Sequence, residues 1–308
     1  MIRYLVLGFL VITLSSIITA ATLIRGDAFD CVRDVIPASG LPNGIVTDRL
    51  ETGVFVFSCE GDYAVVRLQN AQVSLLESKA KVPSRLLSGQ AGALNDSEIP
   101  SSKTIKSAWL TGPTSRYCHG VLGDATEASG FAIIDRAGKR YNFQLGADSV
   151  FEDRKVRIAD LDKDGNDEFI IVHSYLSRGA ALAVYGVRGG NLVLLDETPA
   201  IGLSNRWLNP ATIADVDGDG ELEISYVETP HIGGILHVLT LRKGKLVRKY
   251  KTTYASNHGI GSRVQEMAAA IDWDGDGIVD IAVPDATRTA MKVFSFAKGR
   301  PTDIATIN

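Results

Sequence analysis

The sequence has few cysteines and no cluster of basic residues. Three cysteines, Cys31, Cys59 and Cys118, are too few among 308 residues to build a disulfide scaffold. A bridge between Cys31 and Cys59 is the favoured pairing because both lie in the N-terminal segment, and Cys118 is then expected to be a buried thiol. The net charge of −4 and the scattered Lys and Arg residues argue against nucleic acid as a partner, because such binding rests largely on neutralising phosphates.

The motifs of common catalytic sites are also missing. The chain contains no G-x-S-x-G, no H-E-x-x-H, no phosphate-binding P-loop and no dinucleotide-binding glycine fingerprint. Beyond the N-terminus it lacks any run apolar enough to cross a bilayer. These absences favour a non-catalytic protein with no membrane span, although an enzyme stays open as the alternative.

The N-terminus has the pattern of an export signal. Arg3 precedes an apolar run from Leu5 to Ile18, which ends in small residues up to Ala21. We expect residues 1–21 to be a signal peptide and the mature protein to be periplasmic or secreted. A retained signal anchor is the alternative, because Arg25 follows the run closely.

An acidic loop of nine residues, D-x-D-x-D-G-x-x-[D/E], occurs three times. The copies begin at Asp160, Asp215 and Asp272, so successive copies are 55 and 57 residues apart. A short apolar run precedes each copy and another follows it, which is typical of two strands joined by a turn. Two more apolar runs follow each of the first two copies, so one period contains about four strands.

Four strands that recur at this spacing are typical of a β-propeller blade. The 287 residues after residue 21 accommodate about five such blades, so the sequence predicts an all-β fold of the propeller type. Residues 22–107 are predicted to form an irregular N-terminal β segment, which comprises a first blade and a linker, and residues 108–308 the propeller repeats. A weakened fourth copy of the loop is predicted at Asp124, before a strand from Phe131 to Ile134.

The loops offer the ligands that calcium prefers. Ca²⁺ takes six to eight oxygen ligands, which the acids at positions 1, 3, 5 and 9 and the carbonyl at position 7 can supply, while Gly at position 6 permits the sharp turn. The flanking strands, and the lack of an acid at position 12, exclude an EF-hand. The sequence therefore predicts about three structural calcium ions, in at least three blades. Their predicted ligands are Asp160, Asp162, Asp164, Asn166 and Glu168 in the first loop, Asp215, Asp217, Asp219, Glu221 and Glu223 in the second, and Asp272, Asp274, Asp276, Ile278 and Asp280 in the third.

The repeated loop resembles those of the FG-GAP or VCBS repeat family, whose best-known members are the propeller heads of integrin alpha subunits. The resemblance extends over about residues 115–308 and is strongest from Val156 to Val283. It implies that calcium lies in loops between two strands of a blade and is bound by the twelve acidic positions of the three loops.

A second pattern places arginines upstream of these loops. An arginine lies nine residues before the first Asp of the second and third loops, and another lies eight residues before Asp124. Equivalent positions in successive blades lie around one rim, where guanidinium groups beside aromatic rings suit an acidic sugar, a carboxylate or a phosphate. The alternative is that each arginine ties its blade to the next. The predicted ligand-binding residues are Arg116, Arg206, Arg263, Trp207, His119 and His258.

These patterns predict an exported calcium-binding propeller that acts as a non-catalytic binding or interaction module. Its partner is expected to be a protein or an acidic glycan, and the chain is expected to be a monomer. The alternative is a lyase or hydrolase that acts on acidic polysaccharide at the central channel, because one fold can carry either function. Adhesion within a larger assembly is a third hypothesis.

Overall fold

The structure is a computed structural model that describes residues 32–37, 54–58, 62–69, 72–81, 92–94 and 97–307. The regular secondary structure in these residues is β-strand throughout, which confirms the predicted all-β class. Within them no helix occurs that could cross a membrane. The predicted signal peptide, Cys31 and Cys59 lie outside these residues. The chain divides into two compact units, Met1–Leu86 and Leu87–Asn308.

The described residues of the N-terminal unit form one antiparallel sheet. Its four strands pair in chain order, as expected for short apolar runs separated by turns. They are β1 (Val32–Pro37), β2 (Val54–Ser58), β3 (Asp62–Gln69) and β4 (Gln72–Lys81).

The second unit contains sixteen strands within the described residues. Strands β5 to β12 form one eight-stranded sheet, and β13 to β16 and β17 to β20 form two four-stranded sheets. The strands are β5 (Ile105–Thr114), β6 (Glu127–Asp135), β7 (Arg140–Gln144), β8 (Ser149–Phe151), β9 (Arg157–Ala159), β10 (Glu168–Tyr175), β11 (Gly179–Arg188), β12 (Asn191–Glu197), β13 (Leu208–Ala214), β14 (Glu223–Glu228), β15 (Ile235–Arg242), β16 (Lys245–Thr253), β17 (Ala269–Ile271), β18 (Asp280–Pro284), β19 (Met291–Ser295) and β20 (Thr302–Ile307).

One antiparallel meander occurs three times in this unit, at residues 149–197, 208–253 and 269–307, which we call the first, second and third repeats. In the second and third repeats, four strands pair in chain order. In the first repeat, β8 and β9 both pair with β10 and together take the place of the first strand. The four strands per period that the sequence predicts are therefore present in each repeat.

The outer strands of the three repeats share an irregularity. In each repeat the pairing of the last two strands shifts, so that one residue of the outermost strand has no partner opposite it. Such a bulge bends and twists the strand at a fixed point. The three bulge positions are therefore structurally equivalent, and they carry Leu195, Lys249 and Ile304.

Apolar layers lie on both faces of the first repeat. In β10, Phe169 and Ile171 belong to one core cluster, whereas Ile170 and Val172 belong to another that includes Ile224 of the second repeat. Successive side chains of a strand point to opposite faces, which explains why β10 is buried at nearly every position. A third cluster likewise combines residues of the second and third repeats.

The sheets have two distinct ends. Each acidic loop connects the first and second strands of its repeat, so we call that end the loop end. At the other end of β10, His173 pairs with Phe151, and Phe151 pairs with Ala128 at the start of β6. The connection before β6, residues 115–126, therefore lies away from the acidic loops, at what we call the opposite end.

Candidate calcium loops and candidate ligand-binding end

The three acidic loops form the same backbone turn. In each, the Asp at position 1 accepts a hydrogen bond from the N–H of the Gly at position 6, at 3.1, 2.9 and 3.1 Å. The Asp at position 3 accepts from the N–H of position 5, and the Asp at position 5 accepts from the N–H of position 7. Gly165, Gly220 and Gly277 have φ angles of 88°, 85° and 89°, which residues with a Cβ rarely adopt. The turn therefore requires glycine at position 6.

The acid at position 9 is the first residue of the second strand and is buried. Glu168, Glu223 and Asp280 are 0%, 0% and 1% exposed. Each accepts a hydrogen bond from the N–H at position 2 of its loop, at 3.0, 2.9 and 3.0 Å. Burial, reinforced by neighbouring Asp carboxylates, raises the pKa of all three, that of Glu168 to about 7. A cation among these carboxylates would favour their charged form.

The donor sets fit a hard cation. In each loop, ligand oxygens of three carboxylates lie within 4.8 Å of one another. Asp160 Oδ1 and Asp280 Oδ1 are buried and have no hydrogen-bond partner among the described residues. Carboxylate oxygens are the preferred ligands of Ca²⁺ and Mg²⁺, and a flexible loop with many oxygens favours the larger ion. The three clusters are Asp160, Asp162 and Glu168; Asp215, Asp217 and Glu223; and Asp272, Asp274 and Asp276.

The segment at Asp124 is not a fourth loop of this kind. It lies at the opposite end, and the strand that follows begins at Glu127 rather than Phe131. The connection that corresponds in position to the acidic loops is the short segment 101–104, which lies at the loop end. Its Thr104 hydroxyl donates to Asp167 of the first loop. The predicted weakened copy is wrong because spacing along the chain does not distinguish the two ends of a meander. Cys118 lies in this same connection and is exposed, so the prediction of a buried thiol is also wrong.

Arg263 joins two connections at the opposite end. It forms an ion pair with Asp124, and its Nη1 donates to the carbonyl of Leu122 at 3.3 Å. Its own carbonyl accepts a hydrogen bond from Arg154. The side chain is 17% exposed. These contacts match the alternative in which an arginine ties neighbouring segments together.

Arg206 and Arg116 have fewer partners. Arg206 is partly buried, and its Nη1 makes a single hydrogen bond within the described residues, to the carbonyl of Asn205 at 3.5 Å. Nε and Nη2 of Arg116 are buried with no partner in that part of the chain. The N–H of Asn205 donates to Tyr117 Oη at 2.7 Å, so the segments that carry the two arginines meet. Arg206 therefore retains donors for an anionic ligand, whereas the unpaired donors of Arg116 are buried beside it.

Trp207 and His258 are buried and contact a third ring, His231. The Trp207 ring stacks on His231 at 6.1 Å and meets His258 edge-on at 4.7 Å. His231 Nε2 lies 2.9 Å from His258 Nδ1, and His258 Nε2 donates to the carbonyl of Ser262 at 2.9 Å. Trp207 and His258 are 2% and 0% exposed, so both lie in the interior beneath the opposite end and stabilise its structure. The contribution of His231 was not predicted, because the histidines share no spacing in the sequence.

Acidification is expected to destabilise the protein through this histidine pair. Burial lowers the pKa of both His231 and His258 from 6.5 to about 4. Between these values the two histidines bind more protons in the unfolded chain than in the folded one, so their contribution to stability is full above pH 6.5 and is lost as the pH falls toward 4. Thermal melting at pH values across this window measures the loss.

His258→Gln is expected to flatten this pH dependence, because glutamine can make both hydrogen bonds and does not titrate. The matched control is His237→Gln, since His237 stacks on Tyr226 and pairs with Glu228 instead. A pH profile of His258→Gln as steep as that of the unmodified protein would contradict the assignment.

His119 connects two buried carboxyl groups. Its backbone N–H donates to Glu127 Oε1 at 3.2 Å, and its ring Nδ1 lies 2.7 Å from Glu152 Oε1. Burial raises the pKa of both glutamates, which are 5% and 2% exposed. Glu127 Oε2 has no hydrogen-bond partner in the described part of the chain, and both glutamates line a cavity of about 10 Å³, which suits a single water molecule. This cluster is suited to holding or moving a proton.

Buried polar side chains at the opposite end link the first and second repeats to the connection that precedes the third repeat. Asn209 Nδ2 donates to the carbonyls of Asn257 and Gln265 at 3.1 and 2.9 Å. Gln265 Nε2 donates to Asn209 Oδ1 at 3.2 Å and to Asp153 Oδ1 at 3.0 Å. All four residues are at most 3% exposed. We call them the buried hub; the only sequence signal for it is a polar residue, Asn209, inside an apolar run.

Comparison with known proteins identifies no family. No protein-family model matches the chain, and no curated protein sequence matches it. The solved structure of an exotype rhamnogalacturonan lyase, YesX, aligns with 76% of this chain at 14% identity and a TM-score of 0.38. The chain spans about half of that enzyme, because the alignment covers 52% of its length. A likeness this distant says nothing about activity.

Proposed function

We propose that this protein is an exported, calcium-binding β-propeller that acts as a non-catalytic binding module, with calcium in a structural role. The observation that carries the proposal is the recurrence of one loop geometry in three successive meanders. In each loop, carboxylates converge and the ninth-position acid is buried at the start of a strand. Such a cluster is stable only if a cation offsets its charge, and calcium fits the oxygen donors.

The propeller architecture is supported by the sheets themselves. Each repeat is a four-stranded meander, and successive repeats share apolar layers, as stacked blades do. Backbone hydrogen bonds donated by residues 94 and 108 pair the segment before β5 with β5. This segment, β5, β6 and β7 together make a fourth four-stranded group. The described residues of the N-terminal unit form a further four-stranded sheet, and the proposed propeller has about five four-stranded blades.

The opposite end is the proposed ligand-binding surface. Arg206 and Arg116 keep unused donors there, while Trp207 and the buried hub hold the backbone beneath them in place. A guanidinium group binds a carboxylate through paired hydrogen bonds, so the proposed ligand is an acidic glycan or an acidic protein segment. We propose a monomer that is periplasmic or secreted.

Arg206→Ala is expected to weaken binding of uronic-acid oligosaccharides by about tenfold or more, because a hydrogen bond to a charged group contributes about 1.5–3 kcal/mol. Titration calorimetry with oligogalacturonate and oligoalginate measures the change. The matched control is Arg300→Ala, which removes the same charge from an exposed turn at the loop end. Equal affinity in the two variants would contradict the proposed surface.

An enzyme acting on acidic polysaccharide is the second candidate. It is favoured by one cluster in the segment that also carries Arg116, where the ring of His119 contacts Glu152 and its backbone N–H contacts Glu127, two carboxyl groups of raised pKa. Such groups can exchange a proton with a substrate held by the arginine. Incubation with the corresponding polysaccharides distinguishes the candidates: new reducing ends or unsaturated products would establish turnover and overturn the non-catalytic proposal.

A further inference from the structure

We propose that Lys249 is a built-in cation of the second acidic loop, so that this loop binds calcium more weakly than the other two and fills last. The proposal rests on the calcium binding proposed above. It adds the order in which the three loops bind calcium, which neither the loop motif nor its resemblance to a family predicts.

The ammonium group of Lys249 lies among the carboxylates of the second loop. Its Nζ is 2.5 Å from Asp217 Oδ2, 2.7 Å from Asp219 Oδ2 and 3.0 Å from Glu223 Oε1. The side chain is 12% exposed, so water screens these ion pairs little. The Tyr250 hydroxyl also donates to Asp217 Oδ2, at 2.7 Å. Three of the four acids that would bind calcium therefore already share one positive charge.

Among the described residues, no cation lies as close to the acids of the first and third loops. In the first loop, Arg188 approaches the acids only at 3.5 to 4.0 Å and is 40% exposed. No ion pair to an acid of the third loop occurs among the described residues. The buried carboxylate oxygens without partners, on Asp160 and Asp280, belong to these two loops and not to the second. Unpartnered buried oxygens mark where an external cation is needed.

Lys249 is also exceptional among equivalent positions. It occupies the bulge of the outermost strand, where the first and third repeats carry Leu195 and Ile304. The common architecture therefore accepts an apolar residue at this position. The lysine is consequently not needed for the strand or its bulge, and its charge is specific to the second loop.

A calcium ion that enters the second loop must displace this ammonium group or lie against it. Either route costs free energy, because like charges a few ångströms apart repel strongly where water is scarce. The first and third loops carry no such cost from a buried lysine. We expect calcium affinity at the second loop to be about tenfold or more lower than at the others.

Calcium titration of the full chain tests this order. Calorimetry of the unmodified protein is expected to show two tight sites and one weak site, and Lys249→Leu, which installs the residue of the first repeat, is expected to show three tight sites. Lys251→Leu, an exposed change on the same strand, is the control and should retain the weak site. Lys249→Gln serves as a second variant if the leucine variant is unstable without calcium.

Terbium luminescence assigns the sites to loops. Trp273 lies within the third loop, and Tyr250 contacts Asp217 of the second, so each aromatic residue can sensitise an ion in its own loop. Tight binding reported by Trp273 and weak binding reported by Tyr250 would support the proposal. Equal affinity at all loops of the unmodified protein, or a weak second loop in both Lys249 variants, would overturn the proposed role of Lys249 but leave calcium binding intact. If the unmodified protein binds no calcium at any loop, the calcium proposal is overturned as well.

Discussion

Chelation of calcium is expected to lower the melting temperature of the protein by about 10 °C or more. Each ion held at a concentration one hundred times its dissociation constant contributes about 2.7 kcal/mol, so two or three ions contribute about 5–8 kcal/mol. For a chain of this size, 1 kcal/mol shifts the midpoint by about 2–4 °C. Without the ions, the clustered carboxylates also repel one another at the start of β10, β14 and β18. Calorimetric melting in calcium and in chelator measures the difference.

Asp280→Asn is the variant matched to this experiment. It keeps the shape of a buried residue that is 1% exposed and removes one proposed calcium ligand. The calcium-dependent shift in melting temperature should therefore become smaller in this variant, while uronate binding at the opposite end should persist below the melting point. Equal melting temperatures of the unmodified protein in calcium and in chelator would rule out a structural ion.

Asn209→Ala is expected to destabilise the fold by about 3 kcal/mol or more. The substitution removes the partner of three hydrogen bonds and leaves the carbonyls of Asn257 and Gln265 and the amide of Gln265 buried without it. Each buried polar group left unpaired costs about 1–3 kcal/mol. Denaturant unfolding measures the loss, and its midpoint should fall while the slope stays constant.

The control for this substitution is Asn191→Ala. Asn191 is exposed at the start of β12, and its side chain reaches only the carbonyl of Gly189, at 3.4 Å. Its removal should change stability by less than about 0.5 kcal/mol. If both alanine variants unfold at the same denaturant concentration, the buried hub is not a stabilising element.

The acidic loops and their flanking strands are predictable because their information is local. Position 6 needs a residue that tolerates positive φ, and the acids alternate around one turn, so a window of nine residues contains the whole pattern. The period of about 55 residues then predicts the four-stranded repeat. These features depend on neighbours in the chain and not on long-range contacts.

Features that depend on long-range contacts are not predictable in this way. The loop pattern assigns Asp124 to a weakened loop, whereas strand pairing places it at the opposite end beside Arg263. The buried hub combines residues of the first and second repeats with residues of the connection before the third, and the bulge that aims Lys249 at Asp217 is defined only by its pairing with β15. Each of these features can be predicted only if the pairing of the strands is known. The periodicity of the sequence does not provide that pairing.

The alternation of core residues along β10 has a consequence for partial unfolding. Because Phe169 and Ile171 anchor one apolar layer and Ile170 and Val172 another, this strand can separate from the protein only if both layers open together. It is also paired along its length, with β11 on one side and with β8 and β9 on the other. β10 is accordingly the described strand whose amide hydrogens should resist exchange with solvent longest, and the last part of the fold to be lost.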